Sequence, residues 1–311
     1  MKLSFPQMES FLFGAAETEI SEHGLCAYKC TARCRAAWNA LSTTLGTRAT
    51  ASTGIRLDFH TDAREITFTL QNGTFDLLKD GQYLRSLPAE KEKDTVFPLA
   101  LDGNAHRITL IFPSHDVLGR ICGLEITDGA SAVPHEYKEK FLFLGDSITQ
   151  GWNSGIDSLS YAWRTSLFFD ADCIIHGVGG GYFHPSIFEA PEGFAPDRVF
   201  IAFGTNDFGV FSTAEALREK AAAYLELAKN AYEGTKRYVI TPIWRYDSWE
   251  RAMGSFDECI EIIRREAEIR GFTVIDGLSL VPHDKTFFSD AVHPNALGFS
   301  LYAQNLIKTI L

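Results

Sequence analysis

The segment KFLFLGDSIT (residues 140–149) is an unbroken apolar run that stops abruptly at Gly145, Asp146 and Ser147. A strand buried on both faces has no reason to alternate polar and apolar side chains, so such a run predicts a strand of a parallel sheet. The same grammar recurs at CIIHG (173–177), RVFIAFGTND (198–207), RYVITPIW (237–244) and FTVIDG (272–277). Between the runs, apolar residues return at helical spacing. Helices are predicted across Tyr161–Phe169, Thr213–Tyr232 and Phe256–Arg270, with a last one across Ala296–Ile310, just after Pro294. Strand and helix in alternation read as a doubly wound α/β domain, placed at residues 135–311.

Upstream the pattern is different. In IRLDFHTD (55–62) Ile55, Leu57 and Phe59 alternate with polar neighbours. EITFTLQNG (65–73) runs into an Asn-Gly pair, KDGQYL (79–84) holds an Asp-Gly pair, and AHRITLIFP (105–113) and RICGLEITD (120–128) follow. Period-two alternation broken by such pairs predicts antiparallel hairpins. Five or six strands at this spacing predict a β-sandwich, jelly-roll-like in type, within residues 1–134. DGASAVPHEYKE (128–139), small, polar and Pro-containing, marks the boundary. A short helical segment near residues 27–41 is expected to pack against one end of the sandwich. On that helix Cys26, Cys30 and Cys34 would stack on one face, a spacing open to a soft metal or to simple burial of small apolar thiols.

Composition narrows the function. The chain has 311 residues, 45% hydrophobic and 22% charged, enough apolar material for a substantial core. A formal net charge of −11 argues against a nucleic-acid partner, which needs a basic face. No stretch of about 18 apolar residues is present to span a membrane. The opening MKLSFPQMESFLFGAAETE carries acids and no basic stretch ahead of a long apolar run, so no secretory signal is read and a cytoplasmic location is expected.

In an open α/β sheet, ligands bind outside the carboxyl ends of the strands. The chemically capable residues gather there: Ser147 after the first run, Gly177 to Gly181 after the second, Asn206 after the third, and Asp290 with His293 before the last helix. A serine nucleophile needs a base, a group to orient that base, and donors for an oxyanion. His293 can be the base and Asp290 can orient it; the N–H groups of Ser147 and Gly180 and the carboxamide of Asn206 can be the donors. Each feature also has a plainer reading: a helix cap for Ser147 or Asp146, and turns for the glycines and for Gly204 to Asp207. G-D-S-I-T lacks the final glycine of G-x-S-x-G, so an α/β-hydrolase elbow is not indicated. Trp244, Arg245, Tyr246 and Trp249 in TPIWRYDSWE (241–250) could contact a sugar ring or pack on their own domain. Tyr182, Phe183 and His184 could line a pocket, and His176 reads as a buried, satisfied histidine rather than a catalytic one.

Four segments, Gly145-Asp146-Ser147-Ile148, Gly177-Val178-Gly179-Gly180, Gly204-Thr205-Asn206-Asp207 and Asp290-Ala291-Val292-His293, resemble the four blocks of the SGNH, or GDSL-type, hydrolases. The resemblance covers roughly residues 139–311. It implies a flavodoxin-like three-layer fold, an acyl-enzyme on Ser147, an oxyanion site at Ser147, Gly180 and Asn206, and no metal or cofactor. A sandwich ahead of such a domain, with TASTGIRLDFHTD (50–62), resembles two-domain carbohydrate esterases that remove acetyl groups. The expected substrate is thus a small-molecule or carbohydrate ester. A lysophospholipase or thioesterase acting on longer chains, and a sugar-binding protein without activity, remain the alternatives.

Overall fold

The computed structural model describes all 311 residues. The apolar runs form one parallel sheet. Its strands lie in the order Ala171–Gly177, Glu139–Gly145, Arg198–Ala202, Lys236–Ile240, Thr273–Ile275. This is the 2-1-3-4-5 order of flavodoxin-like folds, whose switch point falls between the first and third strands in the chain, Glu139–Gly145 and Arg198–Ala202. Successive side chains face opposite layers, and both are apolar. Leu142, Leu144, Ile174, Val199 and Ile201 enter one core; Phe141, Phe143, Ile175 and Phe200 enter the other. Helices Tyr161–Phe169 and Ala296–Ile310 cover the second core, and Ala214–Ala231 and Phe256–Ile269 cover part of the first.

The rest of the first core is covered from an unexpected place. After Ala171–Gly177 the chain makes only the short turn Pro185–Ile187 before the next strand, leaving that edge without a helix of its own. Helices Ala32–Leu41 and Thr43–Thr50 fill the gap: Cys34, Trp38, Leu45 and Ala49 lie in the same apolar cluster as Leu142 and Ile174. The segment expected to pack on the sandwich therefore packs on the parallel sheet, where uncovered apolar area was available to bury. The helix begins later than expected, capped by Thr31, whose hydroxyl accepts the Cys34 N–H at 3.3 Å. The three thiols do not share its face. Cys26 sits on strand Gly24–Tyr28 against Arg120, and the Cys30 thiol donates to the Ala49 carbonyl. All six cysteines are free, and no group of three or more His, Cys, Asp or Glu side chains is arranged to hold a metal ion.

Two antiparallel sheets form the sandwich. One runs Leu12–Phe13, Arg56–Thr61, His106–Ile111, Gly73–Lys79, Gln82–Ala89, with Ala132–Pro134 also on Arg56–Thr61. The other runs Glu17–Ser21, Gly24–Tyr28, Arg120–Ile126, Glu65–Gln71, Thr95–Ala100. Residues 55–127 hold seven strands rather than five or six. The run Thr95–Ala100 contains Pro98, which cannot donate to a ladder and argues against a central strand; it is tolerated because the strand lies at a sheet edge. Ile66, Phe68 and Leu70 point into the sandwich core while Glu65, Thr67 and Thr69 face outward, as their alternation requires.

Arg56–Thr61 breaks that rule, since its polar residues are buried as well. Leu57 and Phe59 face the sandwich core, and Arg56 and Asp58 face the parallel-sheet domain. The Arg56 guanidinium, with no exposed surface, bonds Asp172 Oδ1 at 2.8 Å and Tyr137 Oη at 2.7 Å. Tyr137 donates to Asp58, which holds Arg107 through both carboxylate oxygens at 2.9 and 2.7 Å. Removing one partner of a buried ion pair leaves the other charge unpaired and typically costs about 3–5 kcal/mol. Arg56→Met is expected to lower stability by an amount of that order, measured by urea unfolding. A loss of only a few tenths would show that the junction does not depend on this charge.

Candidate active site

The strand Glu139–Gly145 delivers the serine. A Cβ at Gly145 would collide with Thr149 Oγ1 and lie 2.8 Å from the Ala202 carbonyl, so only glycine lets the chain turn here against the neighbouring strand. Asp146 caps the short helix Ser147–Gln150, accepting the Ile148 N–H at 2.9 Å. Burial pushes the Asp146 carboxyl up to about 7, and the nearby Asp207 carboxylate adds to the rise. Asp146 is thus the cap residue its plainer reading describes. Thr149 Oγ1 meets Tyr161 Oη at 2.8 Å, and Tyr161 stacks on Tyr302 with centroids 4.0 Å apart, which fixes the helix on its layer.

Ser147 opens that helix, where a backbone N–H has no acceptor within the helix. Its Oγ lies 2.8 Å from His293 Nε2. On the far side of the ring, Nδ1 lies 2.8 Å from Asp290 Oδ2. Asp290 Oδ1 accepts the N–H groups of Val292 and His293, each at 2.8 Å. One carboxylate therefore shapes the turn and orients the imidazole that the turn carries. Burial alone would raise the Asp290 pKa, but the His293 and Val292 N–H groups and the imidazole together hold it below the ordinary carboxylate range. With Asp290 ionised, a neutral imidazole keeps its hydrogen on Nδ1 and offers its Nε2 lone pair to Ser147.

The glycine loop faces the same site. Gly179 N–H is taken by Gln150 Oε1 at 2.7 Å and Gly181 N–H by the Val178 carbonyl at 2.8 Å. Of the three adjacent glycines only Gly180, at φ +83, has an N–H without an acceptor. Asn206 Nδ2 donates to the Gly181 carbonyl at 2.9 Å, which fixes the carboxamide and leaves its second hydrogen free. Asp207, fully buried, accepts the N–H groups of Phe183 and Gly204 at 2.9 and 2.8 Å and so ties the glycine loop to the asparagine turn.

Arg245 is not placed to touch a substrate. It is buried, paired with Asp247, and donates to the Thr205 carbonyl at 2.7 Å, so it anchors the turn that carries Asn206. An arginine beside aromatics looks the same in sequence whether it faces solvent or a buried carboxylate. Trp244 stacks on His283 and packs edge-on against Phe288, and the Tyr246 N–H donates to the Ala291 carbonyl. These two aromatics brace the segment bearing Asp290 and His293. Trp249 is exposed, whereas Phe183 is buried and Tyr182 packs on Phe211. His176 is buried as expected but not satisfied: its Nε2 makes no hydrogen bond and comes only within 3.9 Å of Glu189 Oε2, and burial pulls its pKa down to about 4.

Sequence reasoning missed several residues. Asn153, at φ +69, donates to Asp290 Oδ2 at 3.1 Å. Gln150, beyond holding Gly179, donates to the His115 carbonyl at 2.7 Å. His115 belongs to a sandwich loop, and its ring packs edge-on against Trp152 with centroids 4.7 Å apart. Asn153 follows a helix-ending glycine, a weak cue; nothing near His115 announces the contact.

A 2-1-3-4-5 parallel sheet that presents serine, glycine, asparagine and histidine at its strand ends is the arrangement of an SGNH hydrolase. The chain belongs to the GDSL-like lipase/acylhydrolase family, whose model matches residues 143–301, just over half of its length. No curated protein matches it. Among solved structures, a salicylyl-acyltransferase from a tetracycline biosynthetic pathway superposes with a TM-score of 0.81 at 15% identity, over 96% of this chain and 93% of its own. A putative GDSL-like lipase from Bacteroides ovatus gives 0.77 at 18%, over 97% and 95%. A family two carbohydrate esterase from Clostridium thermocellum, in complex with cellohexaose, gives 0.72 at 15%, over 96% and 98%. At such identities the likeness is one of fold, and it extends over both domains.

The Nδ1 proton of His293 is expected as a slowly exchanging, low-field proton resonance. It should vanish in Asp290→Ala and in His293→Gln. Its persistence in either variant would mean that another histidine gives the signal.

Proposed function

We propose that the protein is a serine ester hydrolase that removes short acyl groups, acetyl above all, from a carbohydrate or similar polyol. One observation carries the reading: the unbroken line from Ser147 Oγ through His293 to Asp290, beside the open N–H of Gly180. As Oγ bonds to the ester carbonyl carbon, Nε2 takes its proton and the carbonyl oxygen becomes an oxyanion. The N–H groups of Ser147 and Gly180 and the free hydrogen of the Asn206 carboxamide receive that charge. The imidazolium, stabilised by Asp290, protonates the departing alcohol and leaves an acyl-enzyme. Water, deprotonated by the same Nε2, then releases the acid.

The acyl size and the polyol are supported by two further features. An apolar groove of about 740 Å³ runs between helices Tyr161–Phe169 and Ala296–Ile310, but neither the triad nor the oxyanion residues line it. The exposed indole of Trp249, in the loop after the fourth strand, offers a face for a sugar ring. Several similar structures are named as carbohydrate esterases, among them an acetyl xylan esterase from Butyrivibrio proteoclasticus.

Ser147→Ala is expected to abolish hydrolysis of nitrophenyl acetate with the fold intact, and a serine-directed phosphonate to label only Ser147. Labelling elsewhere, or an inactive wild type, would sink the enzyme reading and favour a binding protein. Asn206→Ala should lower kcat on the order of a hundredfold with a smaller change in KM, because an oxyanion donor acts mainly in the transition state. Across acetyl, butyryl, octanoyl and palmitoyl esters, kcat/KM should fall beyond about four carbons. A pocket built for long chains would instead gain from each methylene, worth about 0.8 kcal/mol. A maximum at octanoyl or longer would move the assignment to a lysophospholipase or thioesterase.

A further inference from the structure

The peptide that bears the open Gly180 N–H is gripped from a distant part of the chain. Its other end is the Gly179 carbonyl, which accepts Arg48 Nη1 at 3.0 Å. A peptide group is planar and trans, so its C=O and N–H point in opposite directions. A guanidinium bonded to the oxygen therefore sets where the N–H points. It also draws electron density toward the carbonyl and makes the N–H a stronger donor, since charge-assisted and chained hydrogen bonds reinforce one another.

Arg48 is itself held in place. It stands on helix Thr43–Thr50, whose Leu45 and Ala49 are buried in the core beneath the parallel sheet. Its guanidinium lies over the Trp152 ring, 4.8 Å from the centroid, and its Nε is 3.5 Å from Asp116 Oδ1. The loop has a second cation two residues earlier: Lys29, fully buried, donates to the Gly177 carbonyl at 2.8 Å and to the Arg48 carbonyl at 2.9 Å. Both cations come from the segment between sandwich strands Gly24–Tyr28 and Arg56–Thr61, more than a hundred residues from the glycines they hold.

We propose that Arg48 is a positioning residue for the oxyanion site, holding and polarising the Gly179–Gly180 peptide so that the Gly180 N–H meets the developing charge. This rests on the serine-hydrolase reading above. It makes the N-terminal segment part of the working site, so the parallel-sheet domain alone would hold an incomplete oxyanion loop.

Two variants test it in the full-length protein: Arg48→Met keeps the apolar stem, and Arg48→Lys keeps the charge. With nitrophenyl acetate, Arg48→Met is expected to lower kcat on the order of tenfold with KM nearly unchanged, and Arg48→Lys to recover part of the loss. A second readout needs no turnover. In isotope-labelled protein, the amide correlation that joins the Gly180 N–H to the Gly179 carbonyl carbon should move upfield in Arg48→Met. A resonance that stays put in both variants would overturn the contact. A moved resonance with unchanged kcat would overturn the role in the reaction, and a raised KM with kcat intact would make Arg48 a substrate contact instead. If Arg48→Met does not fold, Arg48→Lys is read alone: a moved correlation with kcat lowered and KM intact supports the role, and an unmoved correlation with wild-type kcat overturns it. Equal loss of kcat and folded population in Arg48→Lys overturns it too. Failure of the serine reading is seen separately, in a wild type that neither hydrolyses the ester nor takes up the phosphonate, and it removes the role of Arg48 as well.

Discussion

A strand buried on both faces needs a cover on each, and after Ala171–Gly177 the chain gives one face only a single turn before the next strand begins. The missing cover is helices Ala32–Leu41 and Thr43–Thr50, which belong in sequence to the other half of the molecule. Burying Cys34, Trp38, Leu45 and Ala49 there satisfies the core, and it also brings Arg48 and Lys29 to the glycine loop. The packing requirement of the sheet and the geometry of the oxyanion site thus share one solution. The sandwich strands that flank these helices in the chain, Gly24–Tyr28 before and Arg56–Thr61 after, are held close by the same contact.

Buried charge at these contacts is costly unless every lone pair and proton finds a partner. Lys29 meets that condition with three neutral oxygens: the carbonyls of Arg48 and Gly177 and the Thr53 hydroxyl. Burial still pulls its amine down to about 8. Arg56, Tyr137, Asp58 and Arg107 meet it as a connected network, which fits only one relative placement of the two domains. Asp207 meets it with two backbone N–H groups, although burial pushes its carboxyl up to about 7. In each case the polar group spends its bonding capacity on loop backbone near the strand ends or on the domain junction. That leaves the Gly180 N–H open beside the free Ser147 N–H and the second hydrogen of the Asn206 carboxamide.

The parallel sheet and the residues in line from Ser147 to Asp290 could be read in the chain because they depend on local patterns, whereas the strand order was implied only by the resemblance to the SGNH hydrolases. Apolar runs such as FLFLG encode burial on both faces, and Asp290 reaches His293 three residues on within a single turn. The identity of the open glycine, the burial of Arg245 and the second face of Arg56–Thr61 depend on what lies opposite, and no local pattern records that. The strand Thr95–Ala100, with Pro98 inside it, is not among the expected strands, and its tolerance of proline depends on an edge that only the assembled sheet defines.

By itself, then, the sequence determined which residues could do chemistry and on which kind of scaffold, because hydrophobic period and short-range turn chemistry are properties of neighbours in the chain. Tertiary structure alone decided which helices cover the sheet, which domain face is wet, and which cations stand behind the glycine loop. Those choices are made by the burial of leftover apolar surface and the pairing of buried charge between segments more than a hundred residues apart. Neither quantity exists until the segments meet.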